Sequence, residues 1–172
     1  TKYQYFNIIN MKKISLLILA MLLAIPAMQA ALPAVILQDM NGNTVDTATL
    51  SNDGKPMLIS FWATWCKPCK RELKAIHEVY PDWVDETGVK VIAVSVDDAQ
   101  NAQKVKPFVD GQGWEYTVLL DTNKEFARQL GVNDVPHAFI VDGEGNVVWS
   151  HKGYVDGGEE EIYDVLRSLS GK

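Results

Sequence analysis

The chain has 172 residues, a length that suits one domain and leaves little room for two. Hydrophobic residues make up 47% and charged residues 22%, the composition of a soluble globular protein. The formal net charge of −6 becomes −9 once the three lysines of residues 1–30, a stretch without Asp or Glu, are set aside. A domain this acidic is repelled by nucleic acid and by anionic lipid, so neither is expected as a partner.

The N-terminal stretch has the pattern of a secretory signal peptide. Met11 precedes the basic pair Lys12-Lys13, an uncharged apolar run over 14–25 and small residues up to Ala30. Because the run is shorter than the roughly 20 residues of a membrane span, we favour cleavage near Ala30 over a retained anchor. The predicted organisation has three parts: an upstream segment outside the fold (1–10), a signal peptide (11–30) and a single domain (31–172). We therefore predict a periplasmic or otherwise exported protein.

The first half of the domain begins with apolar residues 34–37, an Asn-Gly turn at 41–43 and a short second strand, which together predict a β-hairpin. Residues 56–62 form a near-continuous apolar run, typical of a central strand covered on both faces. From Pro68 the apolar residues recur at spacings of three and four, which predicts a helix that Pro81 disrupts.

The second half continues this alternation of strands and helices. Strands are predicted at 89–96, 117–120, 139–141 and 147–149, and helices at 98–109, 124–130 and 159–169. Pro107 falls inside the first of these helices and is expected to end or kink it. Alternating elements followed by a terminal hairpin and helix imply a mixed central sheet with helices on both faces, a three-layer α/β/α sandwich.

The chain contains two cysteines, in the motif Trp65-Cys66-Lys67-Pro68-Cys69. In an exported protein cysteines usually form structural disulfides, but a bridge between positions this close constrains the unfolded chain little. We therefore interpret the pair as redox-active. Cys66, at a helix N-terminus that favours negative charge, is the predicted nucleophile, and Cys69 the resolving thiol. Lys67 adds positive charge, Pro68 suits the first helical turn, and Trp65 places an aromatic face beside the nucleophile.

The rival interpretation of two cysteines three positions apart is half of a zinc site. A structural zinc ion needs four ligands, and the chain has no second cysteine pair. The three histidines, His77, His137 and His151, also lack the spacing of zinc ligands. We therefore expect no metal and no cofactor other than the redox-active disulfide itself. The acidic pair Asp97-Asp98 is expected to cap a helix.

The segment 61–69 resembles the active-site segment of thioredoxin-like proteins. It is most similar to the exported TlpA/ResA/CcmG group of thiol–disulfide oxidoreductases. The resemblance covers residues 34–169 and includes the hairpin around 39–42, Glu72 after the second cysteine, and an added helix–strand unit at 98–120. It implies the thioredoxin fold with an N-terminal β-hairpin and an inserted helix–strand unit.

The resemblance also implies a cis-proline loop that faces the dithiol. Here Pro136 would have the cis bond, and Val135 would present its backbone to a substrate peptide. His137 either tunes the sulfurs or is an exposed or backbone-bonded residue without a redox role. Ser60 stands where thioredoxins have a buried Asp, so Glu72 and water are the candidate proton acceptors for the resolving thiol. A solvated surface charge is an equally good interpretation of Glu72.

The predicted function is that of a periplasmic reductase of protein disulfides. The resemblance implies regeneration by a membrane electron donor and protein thiols or disulfides as partners, with apocytochrome c thiols among the candidates. We expect a monomer. Two alternatives remain: a thiol oxidase or isomerase of secreted proteins, which uses the same dithiol, and a peroxiredoxin-like peroxidase. The peroxidase would place Thr three residues before the reactive cysteine, and this chain has Ala63 there.

Overall fold

A computed structural model describes residues 31–170; the predicted upstream segment and signal peptide lie outside the described residues. The seven strands of this range are β1 (Ile36–Asp39), β2 (Thr44–Asp46), β3 (Met57–Trp62), β4 (Lys90–Ser95), β5 (Thr117–Leu120), β6 (His137–Val141) and β7 (Val147–Lys152). Its four α-helices are α1 (Lys67–Thr87), α2 (Val105–Gln112), α3 (Glu125–Gln129) and α4 (Glu159–Leu169). None of them has the length and apolar character that a membrane span requires.

The strands form one mixed sheet in the order β2-β1-β5-β4-β3-β6-β7. Strands β3, β4 and β5 run parallel to one another, whereas the hairpin β1–β2 joins β5 antiparallel and β6 joins β3 antiparallel. All six residues of β3 are buried, as its continuous apolar sequence predicted. The N-terminal hairpin and the central strand are therefore confirmed.

Helices cover both faces of the sheet. Successive residues of a strand point to opposite faces, and Phe61 and Trp62 end β3 side by side. Trp62 packs on Phe108 of α2, with ring centroids 5.7 Å apart, whereas Phe61 packs on Phe126 of α3 at 5.4 Å. Helix α1 packs against α4. The three-layer α/β/α sandwich with an inserted helix–strand unit, here α2 and β5, is confirmed.

Helix α1 does not end at Pro81, and that prediction was wrong. The helix continues to Thr87 and ends where Gly88 adopts a left-handed φ of 68°. Proline removes one backbone donor, the one that would bond to the carbonyl of His77. Beyond it Trp83 is buried at 4% exposure, and Thr87 Oγ1 donates to the Trp83 carbonyl at 2.7 Å. Burial of Trp83 and Thr87 outweighs the single lost bond.

Helix α2 begins later than predicted, at Val105, after a single 3₁₀ turn over Ala102–Lys104. The reason is Asp98, whose carboxylate accepts from the backbone N–H of Asn101 at 2.9 Å and so closes a separate turn. Pro107 does not end the helix. It is the third residue of α2, where a backbone N–H has no partner within the helix.

Candidate active site

The two cysteines form a disulfide at the N-terminus of α1. Cys66 is the N-cap residue, and its Sγ accepts the backbone N–H of Cys69 at 3.3 Å. The Cα atoms of the pair are 5.4 Å apart. Pro68 is the second helical residue, where its missing N–H has no partner inside the helix. The predicted placement of the motif between a central strand and a helix is confirmed.

Solvent access differs between the two cysteines. Cys69 is fully buried, whereas Cys66 is 4% exposed and lies between two exposed neighbours. Trp65 is 62% exposed, a large value for an aromatic residue, and Lys67 is exposed on the other side. A thiol or disulfide that arrives from solution therefore meets Cys66 first. This asymmetry agrees with the predicted roles of nucleophile and resolving thiol.

The loop before β6 faces the disulfide. The Val135–Pro136 peptide bond is cis, as the resemblance implied. The carbonyl oxygen of Val135 lies 3.7 Å from Sγ of Cys66, and Pro136 is buried behind it. The backbone of Val135 is thus next to the reactive sulfur and outside the sheet, whose nearest strand begins at His137.

His137 is buried at 4% exposure, so the expectation of an exposed histidine is wrong. Its ring stacks on Phe139 with centroids 4.3 Å apart, and its Nδ1 has no hydrogen-bond partner among residues 31–170. Burial lowers the pKa of His137, and the nearby charges of Lys152 and His151 lower it further. The ring is therefore neutral at pH 7.

Glu72 is also buried, at 2% exposure, so its interpretation as a solvated surface charge is wrong. Ser60 Oγ, on the central strand, donates to Glu72 Oε2 at 2.9 Å. Burial raises the pKa of Glu72 to about 7; the Ser60 hydrogen bond opposes this rise, and the charge of Glu159 adds to it. Glu72 follows Cys69 by three residues, on the same face of α1. Thioredoxins have a buried acid on the strand at the position of Ser60. In this chain Glu72 on helix α1 supplies a buried acid instead.

A buried carboxylate beneath the turn that leads to Cys66 was missed by sequence analysis. Asp97 is fully buried, and it does not cap a helix as expected. Its Oδ2 accepts the backbone N–H of Thr64 and its Oδ1 the Thr64 hydroxyl, at 2.8 and 2.7 Å. Ser95 Oγ donates to Oδ2 at 2.8 Å. The available signal was topological: Asp97 follows β4, and parallel β3 and β4 end at the same edge of the sheet.

A groove of about 140 Å³ adjoins the exposed side of the disulfide. Its walls come from the turn before α1, the end of β4, the start of α3 and the cis-proline loop: Trp65, Val96, Lys124, Ala127, Val132 and 133–135. Trp65 and Val135 are the lining residues next to Cys66.

The described residues contain no group of three or more His, Cys, Asp or Glu side chains that could hold a metal ion. The histidines lie apart: His77 packs edge-on against Tyr116, and His151 lies 3.7 Å from Glu161.

A model of the AhpC/TSA family matches residues 28–150. Among curated proteins, the chain is 34% identical over 116 residues to the thiol-disulfide oxidoreductase ResA of Bacillus thuringiensis (strain Al Hakam), covering 67% of this chain and 64% of that protein. It is 30% identical over 138 residues to ResA of Bacillus thuringiensis subsp. konkukian (strain 97-27), covering 80% and 76%. The chain thus spans under two thirds of the length of the first relative.

A protein of known structure has a higher sequence identity to this chain than these two relatives. An uncharacterized thioredoxin-like protein from Porphyromonas gingivalis is 60% identical, with a TM-score of 0.74, over 81% of this chain and 92% of that one. These similarities confirm the resemblance to ResA-type proteins and the thioredoxin fold. The chain belongs to the AhpC/TSA family of thioredoxin-like proteins.

Proposed function

We propose that the protein is an exported thiol–disulfide oxidoreductase that reduces disulfides of other proteins with the Cys66–Cys69 dithiol. One observation carries the proposal: Cys66, which is 4% exposed at a helix N-terminus, is disulfide-bonded to the fully buried Cys69 and lies opposite a cis-proline loop. Exchange between thiols and disulfides needs an accessible attacking thiolate and a second thiol within reach, and this arrangement supplies both.

The reaction proceeds in two exchanges. In the reduced protein, the Cys66 thiolate attacks one sulfur of a substrate disulfide, forms a mixed disulfide and releases the other substrate sulfur as a thiolate. The Cys69 thiolate then attacks Cys66 Sγ, which re-forms the Cys66–Cys69 disulfide and releases the second substrate sulfur. Two electrons pass to the substrate, and its two sulfurs take up protons. The disulfide present in the structure is the product state of this cycle.

Glu72 is the proposed proton acceptor for the resolving thiol. Cys69 is fully buried, so its thiol has no direct route to bulk solvent. Glu72 lies one helical turn further on, is held by Ser60, and has a pKa of about 7, so near neutral pH it is able both to accept and to release a proton. In this proposal water carries the proton onward from Glu72 to the surface.

The direction of electron flow and the partners are part of the proposal. The relatives named ResA are thiol-disulfide oxidoreductases, which supports the reaction class. We infer from the resemblance that a membrane-bound dithiol donor re-reduces the pair and that the protein acts in the periplasm. We also propose that it is a monomer. Substrates of this kind are protein disulfides, with oxidised apocytochrome c as a candidate. The groove at Trp65 and Val135 lies next to Cys66, and we propose that part of the substrate protein binds there.

The reduction potential distinguishes a reductase from an oxidase or isomerase. For a two-electron couple, 30 mV corresponds to about 1.4 kcal/mol. Equilibration with glutathione should give a potential at least about 100 mV below the roughly −120 mV of strong periplasmic oxidants. A value near −120 mV would show that the protein oxidises its partners instead.

Trapping of mixed disulfides tests the roles of the cysteines. Cys69→Ser should accumulate a mixed disulfide with a disulfide-bonded peptide, because the resolving thiol is missing. The matched Cys66→Ser variant should accumulate none, because the remaining thiol is buried. Intact-mass spectrometry separates the two results. Equal trapping by both variants would abolish the assignment, and trapping by Cys66→Ser alone would reverse it. Peroxide consumption by a wild-type protein without disulfide reductase activity would favour the peroxidase.

A further inference from the structure

Hydrogen bonds from Cys66 and from Thr64 hold the turn between β3 and α1. The backbone N–H of Cys66 donates to the carbonyl of Ala63 at 3.0 Å, which closes the turn. Inside it, Thr64 donates both its N–H and its hydroxyl to the two carboxylate oxygens of Asp97. Trp65 therefore stands between two anchored residues, and its side chain projects into solvent.

The cost of burying Asp97 indicates that it does more than fill space. Asp97 is fully buried, and within residues 31–170 no ion pair involves it. A buried carboxylate without a cation is costly unless hydrogen bonds compensate it. Here the compensation comes from three donors, two of them on Thr64 and one on Ser95. Two of the three bonds thus tie the charge to the residue two positions before the nucleophile.

We propose that Asp97 is a positioning residue for the dithiol: its carboxylate holds the Thr64–Trp65 turn and thereby places Cys66 at the helix N-terminus and Trp65 at the edge of the groove. The inference rests on the proposed function, because it concerns how the same sulfur is presented to a substrate. Asp97 matters most in the reduced protein. There the disulfide between Cys66 and Cys69 is broken and no longer holds the first turn of α1.

The Thr64 hydroxyl gives the sharpest perturbation. Thr64→Val keeps the shape of the side chain and the backbone bond to Asp97 and removes one charge-assisted hydrogen bond. Thr64→Ser keeps the hydroxyl and should restore wild-type behaviour. In the Cys69→Ser background, where Cys66 is the single thiol, we expect Thr64→Val to slow alkylation by iodoacetamide at pH 7 by about fivefold. The pH of half-maximal alkylation should rise accordingly.

Thr47→Val is the matched control. Thr47 is fully buried, and its Oγ1 accepts the backbone N–H of Val35 at 2.9 Å, beside the edge hairpin. This substitution should lower the melting temperature and leave the alkylation rate of Cys66 unchanged. Ser95→Ala gives a second, independent test, because it removes a donor to Asp97 without touching the turn. It should slow alkylation about twofold.

Alkylation needs no disulfide substrate, so it separates this inference from the proposed function. If the wild-type protein shows no disulfide reductase activity, the proposed function is overturned, and the alkylation test is unaffected. The positioning role is overturned if, in the Cys69→Ser background, Thr64→Val reacts as fast as the Cys69→Ser parent, or if Thr64→Ser is as slow as Thr64→Val. Should Thr64→Val fail to fold, an alkylation rate in folded Ser95→Ala equal to that of the Cys69→Ser parent would overturn it equally.

Discussion

Replacement of Glu72 by Gln should make the oxidised protein more stable at pH 8 and leave its stability almost unchanged near pH 4. Burial raises the pKa of Glu72 from the ordinary 4.5 to about 7. The folded protein therefore keeps a proton that the unfolded chain releases between these two values. The contribution of Glu72 to stability is complete below pH 4.5, decreases as pH rises, and levels off above pH 7. The Gln side chain stays neutral throughout this pH range, so it makes no such pH-dependent contribution.

The size of the effect follows from the two pKa values. Each unit of difference in pKa is worth about 1.36 kcal/mol, so ionised Glu72 destabilises the fold by about 3 kcal/mol above pH 7. Gln keeps an oxygen that accepts the Ser60 hydroxyl, so the variant retains that hydrogen bond. The advantage of the variant over wild type should grow from about zero at pH 4 to about 3 kcal/mol at pH 8.

Urea unfolding followed by circular dichroism, at steps between about pH 4 and pH 8, measures the difference directly. Glu78→Gln is the matched control, because Glu78 is an exposed residue of the same helix, 3.8 Å from Lys74. It should change the free energy of unfolding by less than about 0.5 kcal/mol at every pH. A difference between Glu72→Gln and wild type that does not vary with pH would refute the reasoning.

Three further substitutions test other parts of the structure. Trp65→Ala should change the free energy of unfolding by less than about 0.5 kcal/mol, because the side chain is exposed, yet lower kcat/KM for a peptide disulfide; unchanged kinetics would contradict its place at the groove. Tyr116→Phe should cost about 1 kcal/mol in urea unfolding, because the buried hydroxyl donates to the Leu73 carbonyl at 2.8 Å. Pro81→Ala should raise the melting temperature by restoring a donor to the His77 carbonyl, and a decrease would contradict the account of α1.

Much of the fold was predictable because local patterns and tertiary packing agree. Strand β5 and helix α4 have the predicted bounds, and the continuous apolar run of β3 is the buried centre of the sheet. The errors occur where local signals and packing conflict. Pro81 disfavours a helix locally, but the burial of Trp83 decides the outcome. Near Asp98, a side-chain hydrogen bond delays the start of α2, and such a bond leaves no periodic pattern.

The features of the candidate site likewise separate into those set by local sequence and those set by tertiary packing. The sequence by itself determined the Cys66–Cys69 pair and its place at a helix N-terminus, because those properties depend on spacing over a few residues. Only the tertiary structure decided that Glu72 is a buried acid held by Ser60 and that Asp97 anchors the turn before Cys66. Both depend on contacts between residues far apart in the chain. Burial and hydrogen-bond partners are properties of the packed sheet and helices, so no local pattern contains them.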